Sequence, residues 1–261
     1  MDERLENFLF RIYPKRSLDE IVLTRENRNI LNELISEHHR SDLLRSYNLE
    51  PRNRILLAGE PGNGKTSLAE AISQSLMVPF YVIRYDGIIG SYLGETASRL
   101  KNMFDYIRTQ ECVLFFDEFD AIGKERGDIH ETGEIKRVVS SLLLQIDRLP
   151  SYVVVVAATN HPELLDRAVW RRFQVRMELA KPDKLMIEAW LKNFENKVQY
   201  SLQHSHKAIA SKLDGLSFSE IEEFILDVQR KYILALPEVN VKKIVDDSLN
   251  QLSHKYELKN G

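Results

Sequence analysis

Cysteine is almost absent: the 261 residues include one, Cys112. No disulfide can form within the chain. That excludes a disulfide-built secreted scaffold and suits a reducing compartment. Long apolar runs are missing as well, and no stretch approaches the ~18 residues needed to span a bilayer. The opening MDERLENFLF is charged and has no apolar core of a secretory signal. These absences predict a cytoplasmic protein that makes no use of a membrane. An excess of either charge is lacking too. Lys and Arg total 36 against 39 Asp and Glu, a net charge of −3, so no nucleic-acid partner is expected from overall charge. Internal repeats and low-complexity segments are also absent. With 43% hydrophobic and 29% charged residues the composition is that of a globular protein. The length suits a large domain followed by a small one.

The strongest signal present is Gly59-Glu60-Pro61-Gly62-Asn63-Gly64-Lys65-Thr66. It fits G-x-x-x-x-G-K-[ST] at every fixed position. An apolar run, Arg54 to Ala58, reads as a buried strand before it. Ser67 to Ile72 continues as a helix after it. A glycine-rich turn between strand and helix leaves several N–H groups aimed at one point, and the helix dipole adds positive potential there. Phosphates bind at such a place. Lys65 is expected to reach β- and γ-phosphates, Thr66 to place its hydroxyl on Mg²⁺, and Ser67 to belong to the cofactor-binding set. The competing reading is a turn that binds nothing.

Around this turn the chain alternates strand and helix. Strands are predicted at Arg54–Ala58, Phe80–Arg84, Cys112–Asp117, Tyr152–Ala158 and Phe173–Leu179. Helices are predicted at Lys65–Leu76, Glu95–Arg108 and Gly133–Ile146. Val153 to Val156 is apolar without alternation, as in a parallel strand covered on both faces. Such alternation predicts an α/β layer fold. Upstream, residues 1–23 show no clear period, and Thr24 caps a helix through Ile30, Leu31, Leu34 and Ile35. A short helix is expected over Asp42–Tyr47. After Lys181-Pro182 only helical patterns occur: Asp183–Asn196, Ser205–Leu213, Ser217–Leu236 and Val241–Ser253. Ser217-Phe218-Ser219-Glu220 spells a capping box. The predicted division is 1–50 as linker and helix, 51–180 as the nucleotide-binding domain and 181–261 as a helical lid domain.

Further chemistry collects at strand ends. Cys112-Val113-Leu114-Phe115-Phe116-Asp117-Glu118 is an apolar strand ending in two acids. Neighbours on a strand point to opposite faces, so the two acids divide the work. Asp117 is expected to hold Mg²⁺ and Glu118 to polarise a water for attack on the γ-phosphate. Ala157-Ala158-Thr159-Asn160 ends another strand, where ligands of open α/β sheets sit. Asn160 is expected to bond the attacking water or the γ-phosphate. Leu165 to Phe173 carries the adjacent Arg171 and Arg172.

GEPGNGKT, CVLFFDE, AATN and LDRAVWRRF together resemble, in order and spacing, the motifs of AAA+ ATPases. They are most similar to the AAA subgroup of protein-remodelling enzymes, here as a compact bacterial-type chain without a folded N-terminal domain. The resemblance covers about residues 18–235. It implies an αβα sheet of five parallel strands in the order 5-1-4-3-2, a helical lid, and ATP with Mg²⁺ as cofactors. In its terms Gly59, Pro61, Gly62, Asn63, Gly64, Lys65, Thr66 and Ser67 are Walker A, and Asp117 and Glu118 close Walker B. Asn160 is sensor 1. Arg171 and Arg172 are arginine fingers acting on nucleotide in the neighbouring subunit, which accounts for two arginines without a local acid partner. A ring, a homo-hexamer, follows.

The resemblance also makes Tyr92 and Leu93, set among Gly90, Ser91 and Gly94, a pore loop that grips a protein substrate, and Lys124 to Gly133 a second loop. Two departures stand out. Val22-Leu23-Thr24 replaces the family's glycine after Ile21, so Ile21 and Val22 are carried over as adenine neighbours. Phe218-Ser219-Glu220 stands where the subgroup has Gly-Ala-Asp; the lack of a clear sensor 2 arginine, by contrast, is consistent with the subgroup. Two other classes of function stay open. One is a nucleotide-dependent switch of a partner such as a protease or adapter. The other is a nucleic-acid-loading protein, which would want a basic channel.

Overall fold

The computed structural model describes residues 9–83, 93–120, 132–198 and 200–260; for 93–97, 132–139, 168 and 253–260 it describes the backbone alone. Strand β1 is Leu9–Ile12, β2 Arg54–Ala58, β3 Phe80–Ile83, β4 Cys112–Phe116, β5 Val153–Thr159 and β6 Val175–Glu178. Among the described residues these form one six-stranded sheet in the order β1-β3-β4-β5-β2-β6. The five strands read from the sequence are parallel and stand in the implied order. The sheet has one strand more than expected. β1 pairs antiparallel with β3, Leu9 opposite Ile83 and Ile12 opposite Phe80. Its four residues carry too little pattern to be read alone, and only Leu9 of them is buried.

Alternation of side chains across the strands divides the core in two. On one face Leu56, Tyr81, Leu114, Phe116, Val155 and Ala157 pack with Leu100, Met103 and Phe104 of helix α4 (Leu93–Ile107) and Leu142, Leu143 and Ile146 of α5 (Thr132–Asp147). On the other, Ile55, Leu57, Val113, Phe115, Val154 and Val156 pack with Leu31 and Leu34 of α1 (Arg25–His39) and Leu68, Ala69 and Ile72 of α3 (Lys65–Leu76). Helix α2 is Ser41–Ser46. Every residue of β4 and β5 is buried, which is why these strands show no alternation in sequence. Each large aliphatic or aromatic side chain so buried contributes about 1.5–3 kcal/mol. Cys112 lies in this core, and burial pushes its thiol up to about 12. It does not form a thiolate near neutral pH.

The chain separates into two compact units, Met1–Glu60 with Lys65–Leu179, and Pro61–Gly64 with Ala180–Gly261. The second unit is helical: α7 Lys184–Lys197, α8 His206–Lys212, α9 Phe218–Leu234 and α10 Val241–Asn260, following the short α6 Arg167–Trp170 of the first unit. Its core holds Ile187, Leu191, Leu202, Ile209, Leu213, Ile221, Ile225, Val228 and Val245. The capping box is formed: Ser217 N–H donates to Glu220 Oε2 at 2.8 Å, and Glu220 N–H donates to Ser217 Oγ at 3.3 Å. Pro61–Gly64 belongs here because Ser219 N–H donates to Gly62 O at 3.0 Å. Among the described residues no helix is long and apolar enough to cross a membrane.

Glu195 ties this unit's loops together. Its Oε1 accepts from Leu202 N–H at 2.6 Å and Ser201 Oγ at 3.1 Å, and its Oε2 lies 2.8 Å from His206 Nε2. Burial pushes the carboxyl up, but the Leu202 N–H, His206 and the Ser201 hydroxyl together hold it below its ordinary value. A pKa lower in the folded than in the unfolded state means stability that is complete above the unfolded value, about 4.3, and lost as pH falls through the folded one. Glu195→Gln should therefore lower stability by about 1–2 kcal/mol at pH 7. In urea melts at stepped pH the difference from the unsubstituted chain should shrink below pH ~4. A difference undiminished in acid would show that packing, not the carboxylate, carries the effect.

Candidate active site

Three strand ends lie side by side at the carboxyl edge of the sheet. Ala58 pairs with Thr159 and Phe116 with Ala157. β2 therefore runs into Gly59, β5 into Asn160 and β4 into Asp117 along one edge, where open α/β sheets bind ligands.

Gly59 leaves β2 with φ +148°, and a Cβ there would stand 2.2 Å from Leu179 O, so glycine is required. Its N–H donates to Thr159 O at 3.2 Å. Pro61 is exposed and Gly62 half-buried, with Gly62 at φ +79°. Gly64 has φ +83°, and apart from its chain neighbours no described heavy atom lies within 4 Å of where its Cβ would be. Asn63 is 4% exposed, and neither its amide nitrogen nor its oxygen has a hydrogen-bond partner among the described residues. Lys65 opens α3. Its ammonium donates to Gly59 O at 2.7 Å and Glu60 O at 3.0 Å. Burial pushes its pKa down, opposed by the carboxylates of Asp117 and Asp120. Thr66 is exposed and Ser67 half-buried in the first turn of α3. A partly desolvated ammonium whose hydrogen bonds among the described residues go only to carbonyls fits a polyphosphate.

Asp117 is half-buried and Glu118 exposed. Asp117 Oδ1 accepts from Glu118 N–H at 3.0 Å. Glu118 has φ +49°, a left-handed conformation that costs a non-glycine residue roughly 1–2 kcal/mol. Strain of this kind concentrates at functional sites. Phe119 N–H donates to Ala158 O at 2.7 Å and fixes the turn against β5. Two further residues, Asp120 and Thr159, organise the edge and were not expected from the sequence. Buried Asp120 accepts from Thr159 Oγ1 at 2.9 Å and from Asn160 N–H at 3.3 Å. The spacing Asp117-x-x-Asp120 was their available signal. Asn160 is half-buried, and its Oδ1 is buried with no partner among the described residues. It is an acceptor without a donor at the mouth of the site.

The arginine segment calls for a correction. Arg172 does have an acid partner: its Nε donates to Asp147 Oδ2 at 2.9 Å, while Arg54 Nη1 donates to Asp147 Oδ1 at 2.9 Å. Asp147 is 25 residues away and arrives at the C-terminal end of α5, so local sequence could not reveal it. Arg171 is exposed and has no ion-pair partner among the described residues. Phe173, buried just beyond them, stacks edge-on with Phe119 at 5.6 Å between ring centres. Ile21 packs against the core beside α1 and α3, and Val22 is half-buried next to it. Tyr92 and residues 124–131 lie outside the described residues, and Leu93 is described only as the first residue of α4.

A phosphate-binding turn between a parallel strand and a helix, inside an αβα sheet, defines the P-loop nucleotide-binding class. Residues 55–181 match the ATPase family associated with various cellular activities (AAA), and the chain belongs to it. It is 40% identical over 220 residues to an uncharacterized AAA family ATPase of Sinorhizobium fredii, covering 84% of this chain and 66% of that one. It is 36% identical over 171 residues to the peroxisomal ATPase pex6 of Schizosaccharomyces pombe, covering 63% of this chain and 18% of the relative. With the ATP-dependent zinc metalloprotease FtsH 3 of Sphaerobacter thermophilus it shares 30% identity over 214 residues, 80% of this chain and 44% of the relative. The chain thus spans no more than 66% of the length of these relatives.

Proposed function

We propose that this chain hydrolyses ATP with Mg²⁺ as one subunit of a homo-hexameric ring in the cytoplasm, and uses that reaction to remodel a protein drawn through the central pore. The observation that carries the reading is the shared edge of β4, β5 and β2, which gathers Asp117, Glu118, Asn160 and the start of the P-loop. Bound ATP and Mg²⁺ would supply the phosphoanhydride and the cation that draws its oxygens together. Lys65 would exchange its carbonyl partners for phosphate oxygens. A half-desolvated cation gains more from that exchange than a solvated one. Thr66 and Asp117 would hold the metal. Glu118 would take the proton of the attacking water, and Asn160 Oδ1 would accept that water's other hydrogen. Residues 51–180 would act as the nucleotide-binding domain and 181–261 as the lid domain. Arg171 would complete the site of the neighbouring subunit, and Tyr92 and Leu93 would grip the substrate. Membership in the AAA family supports the reading, as does the fit of the edge to a polyphosphate.

A steady-state assay tests it. ATP turnover should rise several-fold with an unfolded protein such as reduced casein, and Lys65→Ala should abolish both basal and stimulated rates. Tyr92→Ala should keep the basal rate and lose the stimulation. Turnover indifferent to unfolded protein would overturn the remodelling part and leave a nucleotide switch for a partner enzyme.

A further inference from the structure

Residues 17–24 carry the predicted adenine neighbours. They make one 3₁₀ turn, Leu18–Glu20, and then run to Thr24, whose Oγ1 accepts from Asn27 N–H at 3.2 Å to cap α1. The segment is tied down on several sides. Arg28, in the first turn of α1, donates Nη1 to Leu18 O at 3.0 Å and Nη2 to Ile21 O. Glu70 of α3 accepts the N–H groups of Lys15 and Arg16, the latter at 3.1 Å. Asn27 Nδ2 donates to Glu178 O at 2.8 Å, and Glu178 ends β6, the neighbour of β2. The segment therefore lies at the carboxyl edge of the sheet, beside the helix that Lys65 opens.

Within it, Leu18, Ile21 and Leu23 turn their side chains to the core. Val22 is different. Neither its N–H nor its carbonyl has a hydrogen-bond partner among the described residues. An unpaired carbonyl separates the two purines, because adenine presents its N6 amino donor where guanine presents the O6 acceptor. Discrimination then depends on how firmly that carbonyl is aimed. Arg28 grips the carbonyl immediately before Val22 and a second one three residues earlier. A planar guanidinium can hold two acceptors in fixed relation, whereas a lysine ammonium acts as a point charge.

We propose that Arg28 is a positioning residue for the nucleobase: by clamping the carbonyls of Leu18 and Ile21 it aims the Val22 backbone and sets the preference for adenine over guanine nucleotides. The proposal rests on the ATPase reading above. Among the described residues the Arg28 side chain bonds only the carbonyls of Leu18 and Ile21 and touches none of Lys65, Asp117 and Glu118, so its loss should affect binding of the base rather than the chemical step. A group that contributes equally to ground and transition states changes KM and leaves kcat alone.

The test measures kcat and KM for ATP and GTP on the full chain, its Arg28→Ala and its Arg28→Lys variants, with thermal melts alongside. Arg28→Ala should raise KM for ATP about tenfold, hold kcat within about twofold, and reduce the ATP-over-GTP ratio of kcat/KM about tenfold. Arg28→Lys should fall between. Should Arg28→Ala fail to fold, Arg28→Lys reads the same ratio. An unchanged ratio overturns the assignment, whether KM stays fixed or rises in parallel for ATP and GTP; so does a loss confined to kcat. If the unsubstituted chain turns over neither nucleotide, the ATPase reading falls and takes this assignment with it. Turnover with an unaltered ratio removes the assignment alone.

Discussion

Glu118→Gln should slow ATP turnover by about 10²- to 10⁴-fold while leaving ATP binding close to that of the unsubstituted chain, because the amide keeps the shape of the carboxylate but cannot take the proton of water. The geometry separates the two acids at this strand end. Asp117 keeps its Oδ1 on the Glu118 N–H, so the left-handed turn does not depend on the Glu118 side chain. The substitution should then cost little stability, and a melting temperature within a few degrees of the parent is part of the expectation. The variant is also a trap. A ring that binds ATP without hydrolysing it should retain whatever it engages. If remodelling proceeds through the pore, unfolded polypeptide should co-purify with the Glu118→Gln chain and be lost in the Glu118→Gln, Tyr92→Ala double variant. Capture of one folded partner, indifferent to Tyr92, would instead favour a switch. Turnover by Glu118→Gln at the parent rate would remove Glu118 from the chemistry altogether.

Much of this candidate site can be read from the sequence because the chemistry proposed for it needs contiguous residues. A turn that cradles phosphate takes its glycines, Lys65 and Thr66 from one eight-residue run, so Gly59 to Thr66 could be read directly. β4 and β5 were legible for a different reason: strands buried on both faces must be apolar throughout, as Cys112–Phe116 and Val153–Thr159 are. Legibility failed wherever a partner came from far along the chain. Asp120 announces itself only by spacing, and its bond to Thr159 Oγ1 spans 39 residues. The tie from Arg172 to Asp147 depends on where α5 ends in space, and neither residue's neighbours signal it. Arg28 sits on the polar side of a helix start, where one more charge looks like solvated surface. β1 failed through brevity. Four residues at a sheet edge, with one of them buried, carry no period. The AAA resemblance brought the order of the five parallel strands, while the antiparallel sixth lay outside what it implied.

The paired arginines lead to the second large effect, and the structure makes them unequal. Arg171, exposed and without an ion-pair partner among the described residues, is free to reach another subunit. Arg172 is shared with Asp147, which also holds Arg54 at the start of β2. Supplying an arginine to a neighbour's phosphates is worth about 10³- to 10⁵-fold in turnover. Arg171→Ala should therefore abolish most hydrolysis while its own P-loop still binds ATP. Arg172→Ala should reduce hydrolysis as well, and in addition lower the melting temperature, since it leaves Asp147 with one partner instead of two. Trans action has a direct signature. A Lys65→Ala subunit lacks a working P-loop but keeps Arg171, and an Arg171→Ala subunit has the reverse. Mixed at equal ratio in a randomly assembled ring, about one interface in four pairs a sound P-loop with a sound arginine. Two nearly inactive proteins should then recover roughly a quarter of the parent rate if interfaces act independently. The recovered rate should peak near equal mixing and depend on total protein concentration if, as proposed, the complete site forms only between subunits. Additive, near-zero rates at every ratio, in mixtures shown by native mass spectrometry to contain mixed rings, would place the arginine's action within its own chain. They would also remove the need for a ring in catalysis.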